Sequence, residues 1–155
     1  MLSDAEREEI EHELETVPTK RAACIGALKA VQRQRGWVSD EALEEIGEFL
    51  DMSVDQLDSV ATFFNLIYRQ PVGDHVILVC DSISCFLCGY EQLRDALCEE
   101  LEIGGFGETT DDGRFTLLPM CCLGDCDKAP VMMVGEDTHD EVDPDEVGVI
   151  LEEYD

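Results

Sequence analysis

Residues 75–97 have the sequence HVILVCDSISCFLCGYEQLRDAL, which decides the fold of the second half of the chain. The run from His75 to Val79 is rich in branched apolar residues and follows the turn formers Pro71 and Gly73, so it predicts a buried β-strand. The segment from Gly89 to Leu101 has apolar residues at helical spacing, and we expect a helix there. A strand followed by a helix is the start of a layered α/β structure.

The sequence beyond residue 101 continues this alternation. Phe115–Leu118 and Val131–Val134 predict two further strands, and Asp143–Glu146 opens a last helix because Asp caps helices and Pro suits the first helical position. The predicted order, β-α-β-β-α, indicates a small mixed α/β domain over residues 71–155.

The first 70 residues predict helices instead. Ser3–Glu6 and Ser53–Gln56 are capping boxes, in which a serine and a glutamate or glutamine satisfy free amides at a helix start. Between them, residues 19–35 and 42–50 carry apolar side chains at helical spacing. We therefore predict an α+β chain, with a helical bundle over residues 1–70 followed by the α/β domain.

The composition excludes several classes of partner and favours a redox or metal-binding role for the cysteines. The 155-residue chain has 37 acidic and 10 basic residues, a formal net charge of -27, so nucleic acid and anionic membrane surfaces are poor partners. The N-terminus shows no secretory signal, and the longest apolar runs fall far short of the ~20 residues that span a bilayer, so we expect a cytoplasmic protein without membrane insertion. In that reducing compartment eight cysteines indicate metal binding or redox chemistry rather than disulfides.

Four of the cysteines form two spaced pairs after predicted strands. Cys80 and Cys85 give C-x4-C, whereas Cys122 and Cys126 give C-x3-C. Loops at the ends of neighbouring strands can bring four thiolates to one inorganic centre, and we predict a 2Fe-2S cluster there. Structural zinc sites usually have closer pairs, so a zinc module fits these spacings less well.

Spacing alone leaves other ligand sets open. Cys85 and Cys88 form a C-x-x-C of the kind used by thiol-disulfide oxidoreductases, and together with Cys80 they match a plant-type ferredoxin spacing. We favour the two-pair set because it gives Cys122 and Cys126 a joint purpose. The remaining potential ligands show no constellation, and we interpret them as core or surface residues: Cys24, Cys98, His12, His75 and His139.

Polar groups near the cysteines could adjust the reduction potential of such a cluster. The serine hydroxyls of Ser82 and Ser84, and backbone amides near Gly89 and Gly124, could donate hydrogen bonds to the sulfurs. Hydrogen bonds of this kind raise the reduction potential of a cluster.

The motifs HVILVCDSISC and GRFTLLPMCCLGDCDKAPVMMV, with the weaker GWVS and VATFFN, resemble the 24-kilodalton, or NuoE, 2Fe-2S subunit family of respiratory complex I. The resemblance covers nearly the whole chain. It implies a helical bundle followed by a thioredoxin-like 2Fe-2S ferredoxin domain, with one cluster on Cys80, Cys85, Cys122 and Cys126 and no ligand role for Cys88.

The resemblance also implies a function and partners. The chain would be an electron-transfer subunit of proton-translocating NADH:quinone oxidoreductase, without catalytic residues of its own. Its partners would be the subunit that binds FMN and NADH and the rest of the peripheral arm, on the cytoplasmic face of the inner membrane. Alternatives are the equivalent subunit of an NAD-linked hydrogenase or formate dehydrogenase, or a thiol-disulfide oxidoreductase that uses Cys85 and Cys88.

Overall fold

The computed structural model describes residues 1–154, and its chain contacts divide at Pro71 into two compact units. The first unit is helical. Its four helices are α1 (Asp4–Thr16), α2 (Cys24–Arg35), α3 (Asp40–Leu50) and α4 (Val54–Phe63), with a 3-10 turn over Lys20–Ala23 before α2. The continuous helix expected over residues 19–35 therefore starts as a 3-10 turn capped by Thr19.

Side-chain caps start three of these four helices. The two predicted capping boxes are confirmed, with Ser3 and Ser53 accepting from the amides of Glu6 and Gln56. Ser39 caps α3 in the same way. The apolar stripes face inward and form one core, whose fully buried large side chains are Ile10, Leu28, Leu43, Ile46, Leu50 and Leu57.

A buried ion pair lies beside this core. Arg35 donates two hydrogen bonds to Glu6, at 2.6 and 2.9 Å, and a third to Glu45 at 2.7 Å. The Glu6 side chain is only 2% exposed. The Arg35 guanidinium lowers the pKa of Glu6 to about 2, against the opposing effect of burial. The charge of Glu6 is thus stabilised only in the folded unit.

The second unit is a four-stranded sheet with helices. Its strands lie in the order β2-β1-β3-β4, with β1 parallel to β2 and the other pairs antiparallel. Its elements are β1 (His75–Cys80), α5 (Ile83–Leu87), α6 (Tyr90–Glu100), β2 (Phe115–Met120), β3 (Met132–Val134), β4 (Asp137–His139) and α7 (Val147–Leu151). Short 3-10 turns cover Cys126–Lys128, Pro144–Glu146 and Glu152–Tyr154.

The three predicted strands are confirmed, and the helix predicted from Gly89 to Leu101 is confirmed as α6. The short helix α5 and the strand β4 were not expected. β1 is buried from Val76 to Cys80, as expected for a central strand. The short edge strand β4 is polar and lacks an alternating apolar pattern, so its sequence carries no strand signal. Within residues 1–154, no helix is both long and apolar enough to cross a membrane.

Candidate functional site

The parallel pairing of β1 with β2 brings the two cysteine pairs to the same edge of the sheet. Cys80, the last residue of β1, lies opposite Met120, the last residue of β2. The chain after each strand therefore leaves the sheet at the same edge, and the Asp81 amide donates to the Met120 carbonyl at 2.9 Å. Cys122 follows only two residues later, so the register of the sheet places both pairs together.

The first pair is buried. Cys80 is 2% exposed and Cys85 is fully buried, and both pack against Val131 in a small apolar cluster. Cys85 does not lie in a loop, as predicted for both pairs, but in the short helix α5. This helix spans five residues, too few for the sequence to show a helical period. It turns Cys85 inward.

The second pair lies on an exposed loop. The sulfurs of Cys122 and Cys126 are 3.7 Å apart. Two thiolates bound to one tetrahedral metal, each at about 2.3 Å, would be about 3.8 Å apart, so this pair has the spacing of two ligands on one ion. Gly124 lies between them at φ +93°, in the left-handed region that favours glycine, and lets the loop fold back on itself.

Hydrogen bonds tie the loop to the buried pair. The Leu123 amide, between the two exposed cysteines, hydrogen-bonds to the Cys80 sulfur. The Val131 amide does the same for Cys85. The 3-10 turn that starts at Cys126 also packs against α5. All four cysteines thus lie around one small region, in two pairs.

The four thiols lie close enough together to shift one another's pKa values. Burial raises the pKa of Cys85, and its hydrogen bond with Cys80 raises it further. The pKa of Cys126 is raised by its hydrogen bond with Cys122 and by repulsion between the two thiolates. For Cys80, burial acts to raise the pKa, but hydrogen bonds with the Ser82 hydroxyl and with the backbone amides of Ser82 and Leu123 outweigh it, so the pKa is lowered. Crowding therefore opposes the joint ionisation of these thiols unless a positive centre compensates their charge.

The four cysteines occur as two pairs rather than as one group around a single point. Within the described residues, no group of three or more His, Cys, Asp or Glu side chains has the geometry to hold a single metal ion. A mononuclear zinc site would need three or four such ligands around one ion. A 2Fe-2S cluster takes two protein ligands on each iron, and two pairs of thiols could supply them.

The other cysteines are placed differently. Cys88 is exposed and ends α5, Cys121 is exposed beside the loop, and Cys24 is buried in the helical core as predicted. The thiol-disulfide alternative requires an accessible, acidic first cysteine, whereas Cys85 is fully buried with a raised pKa. The geometry therefore does not favour that interpretation of the C-x-x-C motif.

The predicted histidine assignments hold, and two features of the site were not expected. His12 is exposed, and His75 and His139 are half-buried. Backbone amides hydrogen-bond to two of the sulfurs, as predicted near Gly124 for the amide of Leu123, whereas the amides of Ser82 and Val131 were not predicted. Sequence reasoning also missed the exposed apolar face of α5, whose members are Ile83, Phe86 and Leu87.

Comparison with known proteins identifies close relatives. The family model "Thioredoxin-like [2Fe-2S] ferredoxin" matches residues 10–155. The E subunit of NADH-quinone oxidoreductase from Pseudomonas aeruginosa is 53% identical over 99% of this chain and 92% of its own length. The corresponding protein from Escherichia coli K12 is 52% identical over the same fractions.

A solved structure shows the same fold. A chain in the crystal structure of an NAD+-reducing [NiFe]-hydrogenase in its H2-reduced state superposes with a TM-score of 0.69 at 21% identity. The match covers 82% of this chain and 22% of that much longer one. At this identity the likeness is evidence for the fold alone.

Proposed function

Because the chain belongs to the thioredoxin-like [2Fe-2S] ferredoxin family, together with the E subunits of NADH-quinone oxidoreductase, we propose that its one cluster is held by Cys80, Cys85, Cys122 and Cys126. The chain is an electron-transfer subunit of an oxidoreductase complex. The observation that carries the ligand proposal is the convergence of two thiol pairs, one buried and one with sulfurs 3.7 Å apart.

The protein residues prepare this site in three ways. The cluster, when bound, supplies a centre that accepts and releases one electron. Cys80 and Cys85 are fixed by β1 and α5, while Cys122 and Cys126 lie on a loop that stays open to solvent. The amides of Leu123 and Val131 donate hydrogen bonds to sulfur and so favour the reduced, more negative state.

Acidic side chains act in the opposite direction. Asp81 and Asp127 are exposed near the thiols in a chain with a net charge of -27. Negative charge around a centre that itself becomes more negative on reduction disfavours the added electron. The reduction potential reflects the balance between these charges and the amide hydrogen bonds.

We also propose that α5 docks on the flavin- and NADH-binding partner subunit at the cytoplasmic face of the membrane. Ile83 and Leu87 are 71% and 76% exposed, and Phe86 is 51% exposed. Apolar side chains grouped in this way are typical of protein interfaces. We call the region that contains Cys80, Cys85, Cys122 and Cys126 the thiol edge. The apolar patch adjoins it, because α5 contains Cys85 and packs on the turn at Cys126.

Charge specifies the matching surface on the partner. Asp81 precedes α5 and Asp127 lies in the adjoining turn, so the apolar patch is bordered by carboxylates. A complementary partner would present an apolar centre with basic residues around it. Electron exchange with the FMN of that partner would then take place across a short distance.

The ligand proposal is tested by chemical analysis of the purified full chain. We expect iron and acid-labile sulfide in equal amounts, about two of each per chain, and an electron paramagnetic resonance signal after reduction with dithionite. Zinc without sulfide would contradict it.

Docking is tested separately with Leu87→Asp, which should weaken co-purification of the flavin-binding partner while the cluster signal stays unchanged. Val149→Asp is the matched control, since Val149 is 66% exposed on α7. Equal retention of the partner by both variants would contradict the docking surface.

A further inference from the structure

Ser82 occupies a helix-capping position but does not cap the helix. It is the N-cap residue of α5, with extended backbone angles of φ -64° and ψ 162°, yet its side chain accepts no amide hydrogen bond from the helix. The other serine and threonine N-caps in residues 1–154 all use their side chains for this purpose, namely Ser3, Thr19, Ser39 and Ser53. The Ser82 hydroxyl is therefore used elsewhere.

The hydroxyl lies among the sulfurs instead. Ser82 Oγ is 3.4 Å from the Cys80 sulfur, with the thiol donating to the oxygen. The same hydroxyl acts to lower the pKa of Cys85 and of Cys126, against the larger effects that raise both. One side chain thus influences thiols of both pairs.

The direction of this hydrogen bond must reverse when a cluster binds. A metal-bound cysteine is a thiolate with no proton to donate, so its sulfur can only accept. The Ser82 hydroxyl carries one proton and becomes the donor. A hydrogen bond donated to a ligand sulfur stabilises the reduced state, in which the sulfur carries more negative charge.

We infer that Ser82 is a positioning residue that raises the reduction potential of the cluster through a hydroxyl hydrogen bond to its ligand sulfurs. This inference rests on the proposed function. It adds that a side chain, and not only the backbone amides of Ser82, Leu123 and Val131, sets the reduction potential.

The structure offers a matched set of variants. Ser82→Ala removes the hydroxyl without removing a helix cap, because α5 begins without one, so we expect the fold to be retained. Ser82→Thr keeps a hydroxyl and should restore the wild-type behaviour. Ser84→Ala is the control, since among the described residues the Ser84 side chain makes no hydrogen bond and lies on the same helix.

The experiment is a redox titration of the full chain followed by electron paramagnetic resonance. In Ser82→Ala we expect about a tenfold lower ratio of reduced to oxidised cluster at a fixed ambient potential, which for one electron is about 59 mV. Ser84→Ala and Ser82→Thr should stay close to wild type. An unchanged midpoint in Ser82→Ala, or an equal fall in Ser84→Ala, would overturn the inference.

A second measurement does not depend on the alanine variant loading its cluster. Pulsed electron paramagnetic resonance of the wild-type and Ser82→Thr proteins after exchange into deuterated water should detect, in both, a deuteron coupled to the reduced cluster in addition to the deuterons of the backbone amides. If neither protein shows this additional deuteron, the inference is also overturned. If the wild-type chain shows no cluster signal at all, the proposed function fails instead, so the two failures are distinguishable.

Discussion

The helical unit and the sheet unit satisfy their buried polar groups in different ways. In the helical unit the buried carboxylate of Glu6 has its counter-charge in the same unit, Arg35, at 2.6 Å. At the thiol edge of the sheet unit, the buried Cys80 and Cys85 have only hydrogen bonds and one another. In the first unit a protein side chain neutralises the buried charge, whereas in the second unit the cluster supplies the positive charge that the thiolates need. The two units should therefore respond to different perturbations.

The largest effect is expected from the thiol edge. Cys122→Ser removes one thiolate of the exposed pair, and we expect most or all of the cluster to be lost, measured as iron content and visible absorbance of the purified chain. Cys88→Ser is the matched control, because Cys88 is also an exposed cysteine but lies outside both pairs. A colourless Cys88→Ser protein beside a normal Cys122→Ser protein would reverse the ligand assignment.

Removal of the cluster should affect the sheet unit and leave the helical unit unchanged. After iron chelation we expect faster amide hydrogen exchange in residues 81–88 and 121–128, because the thiol edge loses the bonds that join its two segments. Exchange in α2 and α3 of the helical unit should be unchanged, since no thiol pair lies there. Equal loss of protection in both units would show that the cluster does not specifically complete the second one.

The ion pair should affect only the helical unit. Glu6→Gln leaves Arg35 without its buried partner but still bonded to Glu45, and we expect the unfolding free energy of this unit to fall by about 2–3 kcal/mol. Glu9→Gln, which removes an exposed ion pair with Arg33, should cost less than about 1 kcal/mol. Denaturant unfolding monitored in the helical unit measures both, and a changed cluster spectrum in Glu6→Gln would contradict the separation.

Acid should reduce the advantage of the wild type over Glu6→Gln. The pKa of Glu6 is about 2 in the folded chain and 4.5 ordinarily, so its stabilisation is complete above pH 4.5 and is lost as the pH falls toward 2. The difference in unfolding free energy between the two proteins should shrink by about 2 kcal/mol between about pH 5 and pH 3. A constant difference over that range would mean that the ion pair does not lower this pKa.

Local signals in the sequence were sufficient for the elements that depend on local chemistry. The capping boxes at Ser3 and Ser53 and the branched run of β1 lie where the sequence predicted them, since caps and strand propensity act over a few residues. The helix α5 and the strand β4 were missed because each is too short to show a period.

The sequence predicted which cysteines form the candidate site, but it did not predict how each of them is buried or exposed. Cysteine spacing and the family resemblance point to the four ligands. That Cys85 is buried while Cys122 is exposed depends on the register of β1 with β2 and on α5, which are tertiary features. The sequence predicted that the hydroxyls of Ser82 and Ser84 could both donate to the sulfurs, and only the structure distinguishes them, because Ser82 Oγ lies 3.4 Å from the Cys80 sulfur.

The most direct test of two thiol pairs around one cluster is a crystal structure of the purified chain with anomalous diffraction at the iron edge. We predict two adjacent iron peaks, one bonded to Cys80 and Cys85 and the other to Cys122 and Cys126. A single metal peak, or an iron bonded to Cys88, would contradict the account.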